Sequence, residues 1–235
     1  MNPLNCHALI LAGGRGTRLH GIWERAKCLV PVGGVPLIER LLLALGLCGI
    51  RRIFLSLGHR REDVLSWLAE WPRNGDISIV VEDSPLGTAG AVRHAVLRST
   101  MEIGTRPLLV LNGDTLPLYD LGDLVRFHST RYGAWATVAM APRATEWREV
   151  YAGAAMLSLQ AIDEICANER TSDLSAYLLG ALQYSVPGFL DVGTPEGFRR
   201  AQEWRGWKRS VLTRLAASLA HCATAAKHIA AAAKN

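Results

Sequence analysis

Short apolar runs alternate along the first half of the chain with longer stretches in which leucine and alanine recur at helical spacing. Residues 7–11, HALIL, are apolar throughout and are closed by Gly13 and Gly14, the pattern of a strand buried on both faces. Residues 36–47 carry Leu37, Leu41, Leu42 and Leu45 on one helical stripe, with Gly46 and Gly49 near its end. The alternation predicts further strands at 52–57, 77–81 and 108–111, and further helices at 61–71 and 88–98. Strands with no polar face need cover on both sides. The pattern therefore predicts an α/β fold, a doubly wound and mostly parallel sheet of the Rossmann-like kind. Ligands of such sheets bind beyond the carboxyl ends of the strands. That rule places two loops, residues 13–18 and 112–114, on one crevice.

The second half is less regular. Residues 134–140 and 150–157 predict strands, 158–168 and 175–182 helices, and 188–191 a short strand. Pro195 suits the first turn of a helix running through Phe198, Ala201 and Trp204. The closing segment is rich in alanine and helix-forming. Trp204, Trp207, Val211, Leu215 and Leu219 fall on one face of it, with Lys208, Arg209 and Arg214 elsewhere. Such a stripe packs on its own domain or on a second subunit, as in a homodimer, and basic amphipathic helices also lie on membrane surfaces. The expected division is a principal domain at 1–206 and a C-terminal amphipathic helix at 207–235.

Composition narrows the class. The chain has 235 residues, 49% hydrophobic and 20% charged, enough for one substantial core and incompatible with wholesale disorder. Cys6, Cys28, Cys48, Cys166 and Cys222 are odd in number and lack CxxC spacing, which suggests neither a disulfide framework nor a zinc site. A reducing cytoplasm is the expected location. The N-terminus has no basic leader region and no apolar stretch long enough to span a bilayer, so neither a signal peptide nor a transmembrane segment is expected. The net charge of +5 owes much to the last residues, and the remaining arginines form no basic run with interleaved aromatics. No nucleic-acid partner is expected.

The candidate chemistry begins where LILA turns into GGRGTRL. Glycines after a strand let backbone N–H groups cradle phosphate, and arginine adds a permanently charged, two-pronged donor. A turn carrying two surface arginines fits the same spacing. Neither the GxGxxG nor the GK[ST] pattern is present. Lys27 follows shortly after Arg18, and Asp114 and Asp191 stand at two strand ends, where a carboxylate reaches a metal ion or simply forms a turn.

LAGGRGTRL, then Lys27 with PVGGVPLIERLL, EDSPLGTAGAV, LNGDT and FLDVGTPEGFRRA, together resemble the sugar-1-phosphate nucleotidyltransferase family, in order from about residue 7 to 203. The flavour is that of mannose-1-phosphate and D-glycero-D-manno-heptose-1-phosphate guanylyltransferases. The resemblance implies a GT-A-like fold and transfer of a nucleoside monophosphate from an NTP, GTP favoured, to a sugar 1-phosphate with release of pyrophosphate. It implies that Gly13, Gly14 and Gly16, with flanking Leu11, Ala12 and Thr17, line the nucleotide, and that Arg15 and Arg18 hold the leaving phosphates. Lys27 would touch the reacting phosphates, Gly87 and Thr88 would border base and ribose, Asn112 would also line the nucleotide, and Asp114 and Asp191 would bind Mg²⁺. Arg18, Lys27 and Asp114 are the expected catalytic set.

The chain departs from the family in four places. The usual Pro-Lys-Pro is Ala26-Lys27-Cys28, and the usual Gly-Lys-Pro is Gly34-Val35-Pro36. The Glu-Lys-Pro element that helps hold the sugar is absent, and Tyr151 takes the place of the usual asparagine. Glu146, Arg148 and Glu149 are expected in a short solvated loop, and His59, His94 and His128 on the surface or a helix face. Two other readings remain at this stage: a non-catalytic nucleotide-sensing subunit, and a cytidylyl-type transferase for a small phosphorylated alcohol.

Overall fold

A computed structural model describes residues 5–71, 76–99, 105–143, 146–168 and 171–205, with the side chains of 143–148 outside the description. The helix expected at 207–235, its suggested dimer or membrane role, and Cys222 lie outside the described residues.

Strand β1 (His7–Ala12) leads through single 3-10 turns at Thr17–Leu19 and Lys27–Leu29 into a small hairpin, β2 (Pro31–Val32) and β3 (Val35–Pro36), and then α1 (Leu37–Leu47). There follow β4 (Arg52–Leu57), α2 (Arg61–Glu70), β5 (Asp76–Val81), α3 (Gly87–Arg98), β6 (Leu108–Asn112), β7 (Thr115–Pro117) and α4 (Leu121–Ser129). The second half contains β8 (Ala136–Arg143), β9 (Glu146–Leu157), α5 (Leu159–Ala167), α6 (Leu174–Tyr177), β10 (Leu182–Ser185), β11 (Phe189–Asp191) and α7 (Pro195–Glu203).

Seven strands form one sheet in the order β10-β8-β9-β6-β1-β4-β5. Only β9 runs against its neighbours β6 and β8; the other pairings are parallel. Alternate side chains of each central strand feed two apolar layers. Ala8, Ile10, Ile53, Leu55, Leu109 and Leu111 face α1, α2, α4 and α7. Leu9, Phe54, Leu108 and Val110 face α3, α5 and α6. Burial on both faces explains the near-continuous hydrophobicity of these strands, and the doubly wound, mostly parallel sheet is the architecture found.

The first-half elements lie where the hydrophobic period places them. Three features of the second half differ. The helix expected at 175–182 is only the short α6, and Leu182 instead opens the edge strand β10, paired parallel with β8. Its sequence LQYS is too short and too polar to read as a strand. β8 and β9 follow one another without a helix between them, and adjacent strands so joined pair antiparallel. This puts Glu146, Arg148 and Glu149 on strand β9 rather than in a loop. Helix α4, absent from the sequence reading, is capped by Asp120, whose carboxylate accepts from Gly122 N at 2.7 Å. It buries His128 to 6% exposure, with Nδ1 2.9 Å from Thr137 Oγ1, so this histidine is a core residue.

Helix α1 carries a polar pair into the core. Arg40, 4% exposed, donates from Nε to the Val32 carbonyl at 2.8 Å and stacks on Trp204 just past α7. Glu39 is equally buried and one of its oxygens has no partner, and burial pushes its carboxyl from 4.5 up to about 7 against the pull of Arg40. Below pH 4.5 the group is neutral in both folded and unfolded chains and costs nothing. Above that the unfolded chain ionises first, so stability falls until pH passes about 7. Glu39→Gln should therefore match the wild type near pH 4 and exceed it by a few kcal/mol at pH 8, a gap that paired urea titrations at the two pH values will measure.

Candidate active site

The crevice opens where the carboxyl ends of β1 and β6 stand side by side, Leu11 in register with Asn112. Gly113 N donates to the Leu11 carbonyl at 2.8 Å, and a Cβ at 113 would stand 2.6 Å from that oxygen. Only glycine lets the two loops approach this closely. Between them lies a cleft of about 310 Å³. Leu11, Ala12, Gly13, Gly14, Arg15, Lys27, Gly87, Thr88, Asn112 and Asp114 all line it, so residues scattered over the first half of the chain meet there. Gly16, Thr17, Arg18 and Asp191 lie outside its lining.

Asp191 and Arg18 converge on a point beside the cleft. β11 pairs antiparallel with β7, setting Asp191 opposite Thr115, and Val192 N donates to the Asp114 carbonyl at 2.9 Å. This ladder makes neighbours of two aspartates far apart in sequence. A Cβ on Gly193 would lie 2.9 Å from Asp114 Oδ2, 3.0 Å from Asp191 Oδ1 and 3.3 Å from Arg18 Nη2. The missing side chain of Gly193 is thus the space onto which both carboxylates and one guanidinium close. Asp191 Oδ1 also accepts from Gly193 N at 2.7 Å, which fixes its orientation.

Hard divalent cations take oxygen ligands, and Mg²⁺ is commonly held by one or two carboxylates plus substrate phosphate oxygens. The Asp114–Asp191 pair has the right chemistry and convergence for such an ion. Among the described residues no cluster of three or more His, Cys, Asp or Glu side chains offers an all-protein cage.

Lys27 Nζ contacts Asp114 Oδ2 at 2.7 Å with both side chains largely shielded. Its aliphatic stem runs under the glycine loop, 3.6 Å from where a Gly14 Cβ would stand and 3.1 Å from the equivalent point at Gly16. Gly16 has φ 68°, a left-handed conformation that lets the chain enter the Thr17–Leu19 turn. Cys28 also lines the cleft, but burial pushes its thiol up to about 12, so it stays protonated and is no nucleophile.

Glu82 escaped the sequence reading. It follows β5, is 8% exposed and lines the cleft. Ser56 Oγ, fully buried, donates to its Oε1 at 2.5 Å, and the same oxygen lies 2.9 Å from the Cβ position of Gly13. The signal was present in EDSPLGTAGAV as an acidic residue directly after an apolar strand. Thr88 lines the cleft, yet its hydroxyl is also structural, accepting from Leu174 N at 2.8 Å and donating to Asp173 Oδ1 at 3.3 Å.

Beyond the carboxylates, Glu149 accepts from Ser185 Oγ at 2.8 Å. The Tyr151 and Tyr119 hydroxyls are buried without a partner, and burial raises both above the ordinary phenol range. Trp67 and Trp71 stack at 4.9 Å on the core, as packing residues. No helix among the described residues is long and apolar enough to cross a membrane.

The chain is similar to several known proteins. The chain is 36% identical over 136 residues to a mannose-1-phosphate guanyltransferase of Schizosaccharomyces pombe, a match covering 57% of this chain and 37% of that protein. It is 32% identical over 136 residues to D-glycero-alpha-D-manno-heptose 1-phosphate guanylyltransferase of Aneurinibacillus thermoaerophilus, covering 57% of each. The chain therefore spans well under two thirds of the length of these curated relatives. Among solved structures, HddC from Yersinia pseudotuberculosis complexed with GMP-PN superposes with a TM-score of 0.67 at 23% identity, over 84% of this chain and 98% of that one. A putative glucose-1-phosphate thymidylyltransferase from Bacillus anthracis gives 0.68 at 23% identity, over 84% and 94%. At that identity the superpositions establish a shared fold. A family model for the MobA-like NTP transferase domain matches residues 8–182, the span that contains the glycine loop, Lys27, the Glu82 strand end and Asp114, and the chain belongs to that family.

Proposed function

We propose that this protein transfers the nucleoside monophosphate of an NTP, GTP by preference, to a sugar 1-phosphate of the mannose or heptose type, releasing pyrophosphate. The observation that carries this reading is the convergence of Asp114, Asp191 and Arg18 on the empty side-chain position of Gly193, beside a cleft floored by glycines and Lys27. The relatives' names, mannose-1-phosphate and heptose 1-phosphate guanylyltransferases, supply the substrate class. The free thiols of Cys6, Cys28, Cys48 and Cys166 suit a cytoplasmic setting.

The glycine loop cradles the triphosphate with its backbone, while Arg15 and Arg18 draw charge from the β- and γ-phosphates. Lys27 neutralises the α-phosphate region as the sugar-phosphate oxygen attacks in line and pyrophosphate departs. Asp114 and Asp191 would hold Mg²⁺, which supplies charge neutralisation and alignment of phosphate oxygens when bound. Attack on phosphorus requires no group of the protein to form a covalent bond, so positioning and electrostatics are the chain's contribution.

Glu82 supports the choice of GTP. Its carboxylate, held by Ser56, can accept from two adjacent donors at once. Guanine offers such a pair in N1–H and the 2-amino group, whereas the hydrogen-bonding edges of adenine, cytosine and uracil present no two adjacent donors.

Pyrophosphate release, measured with four NTPs crossed against mannose, heptose and glucose 1-phosphates and phosphocholine, tests the reading. The expected signal is Mg²⁺-dependent and confined to GTP with a mannose- or heptose-type acceptor. Asp114→Ala and Gly193→Ala should each lower kcat/KM by at least about a hundredfold while remaining folded by circular dichroism. Normal turnover in either variant rules out the assigned site. Glu82→Gln should raise KM for GTP about tenfold and narrow the margin over ATP, because an amide accepts from only one of the two guanine donors. Unchanged base preference would remove Glu82 from the base site.

A further inference from the structure

Lys27 needs a defined position against the glycine loop, and the residue before it shows how this is set. Ala26 is the first position of the turn that carries Lys27, is 5% exposed, and donates its backbone N–H to Asp63 Oδ2 at 2.9 Å. Asp63 lies in the first turn of α2, whose beginning is itself seated on the glycine loop. His59 N donates to the Gly13 carbonyl at 3.2 Å, and a Cβ at Gly58 would stand 2.9 Å from that same oxygen. Arg60, with φ 57°, turns the chain between these contacts and the helix. A non-glycine residue in the left-handed region is strained and persists only where its surroundings impose it. Arg60 also reaches across to Glu24 at 3.3 Å, on the segment leading to Ala26. One rigid helix start therefore touches both anion-binding parts of the cleft.

We propose that Asp63 is a positioning residue for Lys27: by holding the Ala26 N–H it fixes the lysine turn relative to the glycine loop. The inference rests on the nucleotide-binding reading above. It also accounts for Ala26 standing where the family pattern has proline. Ala26 has φ −52° and ψ 134°, angles that proline adopts, but alanine brings an N–H that must be paired once buried, and Asp63 pairs it. Proline would fix the same turn through its ring.

Titration calorimetry with GTP and Mg²⁺ on the full chain tests this. Asp63→Ala should weaken binding about tenfold, the scale of a coupling near 1.4 kcal/mol. In a Lys27→Ala background the same change should cost nothing further, and Asp63→Asn, which keeps an acceptor oxygen, should bind within about twofold of the wild type. Ala26→Pro combined with Asp63→Ala should restore affinity to within about threefold. An equal loss with and without Lys27, or a folded double variant as weak as Asp63→Ala, overturns the positioning role. If Asp63→Ala alone does not fold, the proline double variant decides: wild-type affinity supports the role, and weak binding or failure to fold overturns it. A wild type that binds no GTP would overturn the functional reading as well, which separates the two failures.

Discussion

The contact between Lys27 Nζ and Asp114 Oδ2 is the constraint around which the site is assembled. Each partner is delivered by a different part of the chain, the lysine by a single 3-10 turn after β1 and the aspartate by the tight turn after β6. Both are drawn out of bulk water, and a shielded charge without a partner is costly. Mutual pairing keeps them in place before any ligand arrives. The β7–β11 ladder then adds Asp191 beside Asp114, and Gly193 leaves the intervening space clear. None of these elements is large, yet backbone ladders and turns and a few short side-chain contacts to the backbone fix each of them. Such a support suits a site whose task is to place charges.

The charge balance explains why the opening loop carries arginines. Arg15 and Arg18 are exposed while Lys27 is engaged with a carboxylate. On the proposed function an entering polyphosphate would meet unburied cations first, where charge steers approach, and the shielded lysine last. A second carboxylate near Asp114 would be repulsive alone, but Arg18 stands at the same point as both. The loop, the lysine and the aspartates form one electrostatic unit spread over almost the whole described chain.

Much of this was legible in the sequence, and the reasons differ by element. β1, β4 and β6 were readable because burial on both faces leaves no polar interruption, and the strand-end rule then located Gly13, Gly14, Asn112 and Asp114 together. Asp191 was recognisable from its turn and from the family pattern, but its distance from Asp114 depends on β7, a three-residue strand too short for any period to show. Glu82 was hidden because an acidic pair, Glu82 and Asp83, after a strand looks like solvated surface, and only the fold reveals Ser56 beneath Glu82. Asp63 looks like an ordinary acid in a helix's first turn, where the helix dipole alone would favour it. Its bond to Ala26 is long-range and leaves no trace in local spacing.

The shortened second half has a structural logic of its own. With no long segment between them, β8 and β9 pair directly, and β9 starts its pairing with β6 at the aspartate-turn end and runs antiparallel away from it. Gly153, at φ 77°, lies where the β8–β9 register shifts, and its missing Cβ would have stood 2.7 Å from Thr115 Cγ2. β9 can therefore press against the residue next to Asp114 only because position 153 has no side chain. In this chain β9 therefore stands directly behind the residue that follows Asp114. Asp114 is thus held by Lys27 directly, while β9 packs on Thr115, the next residue along the chain.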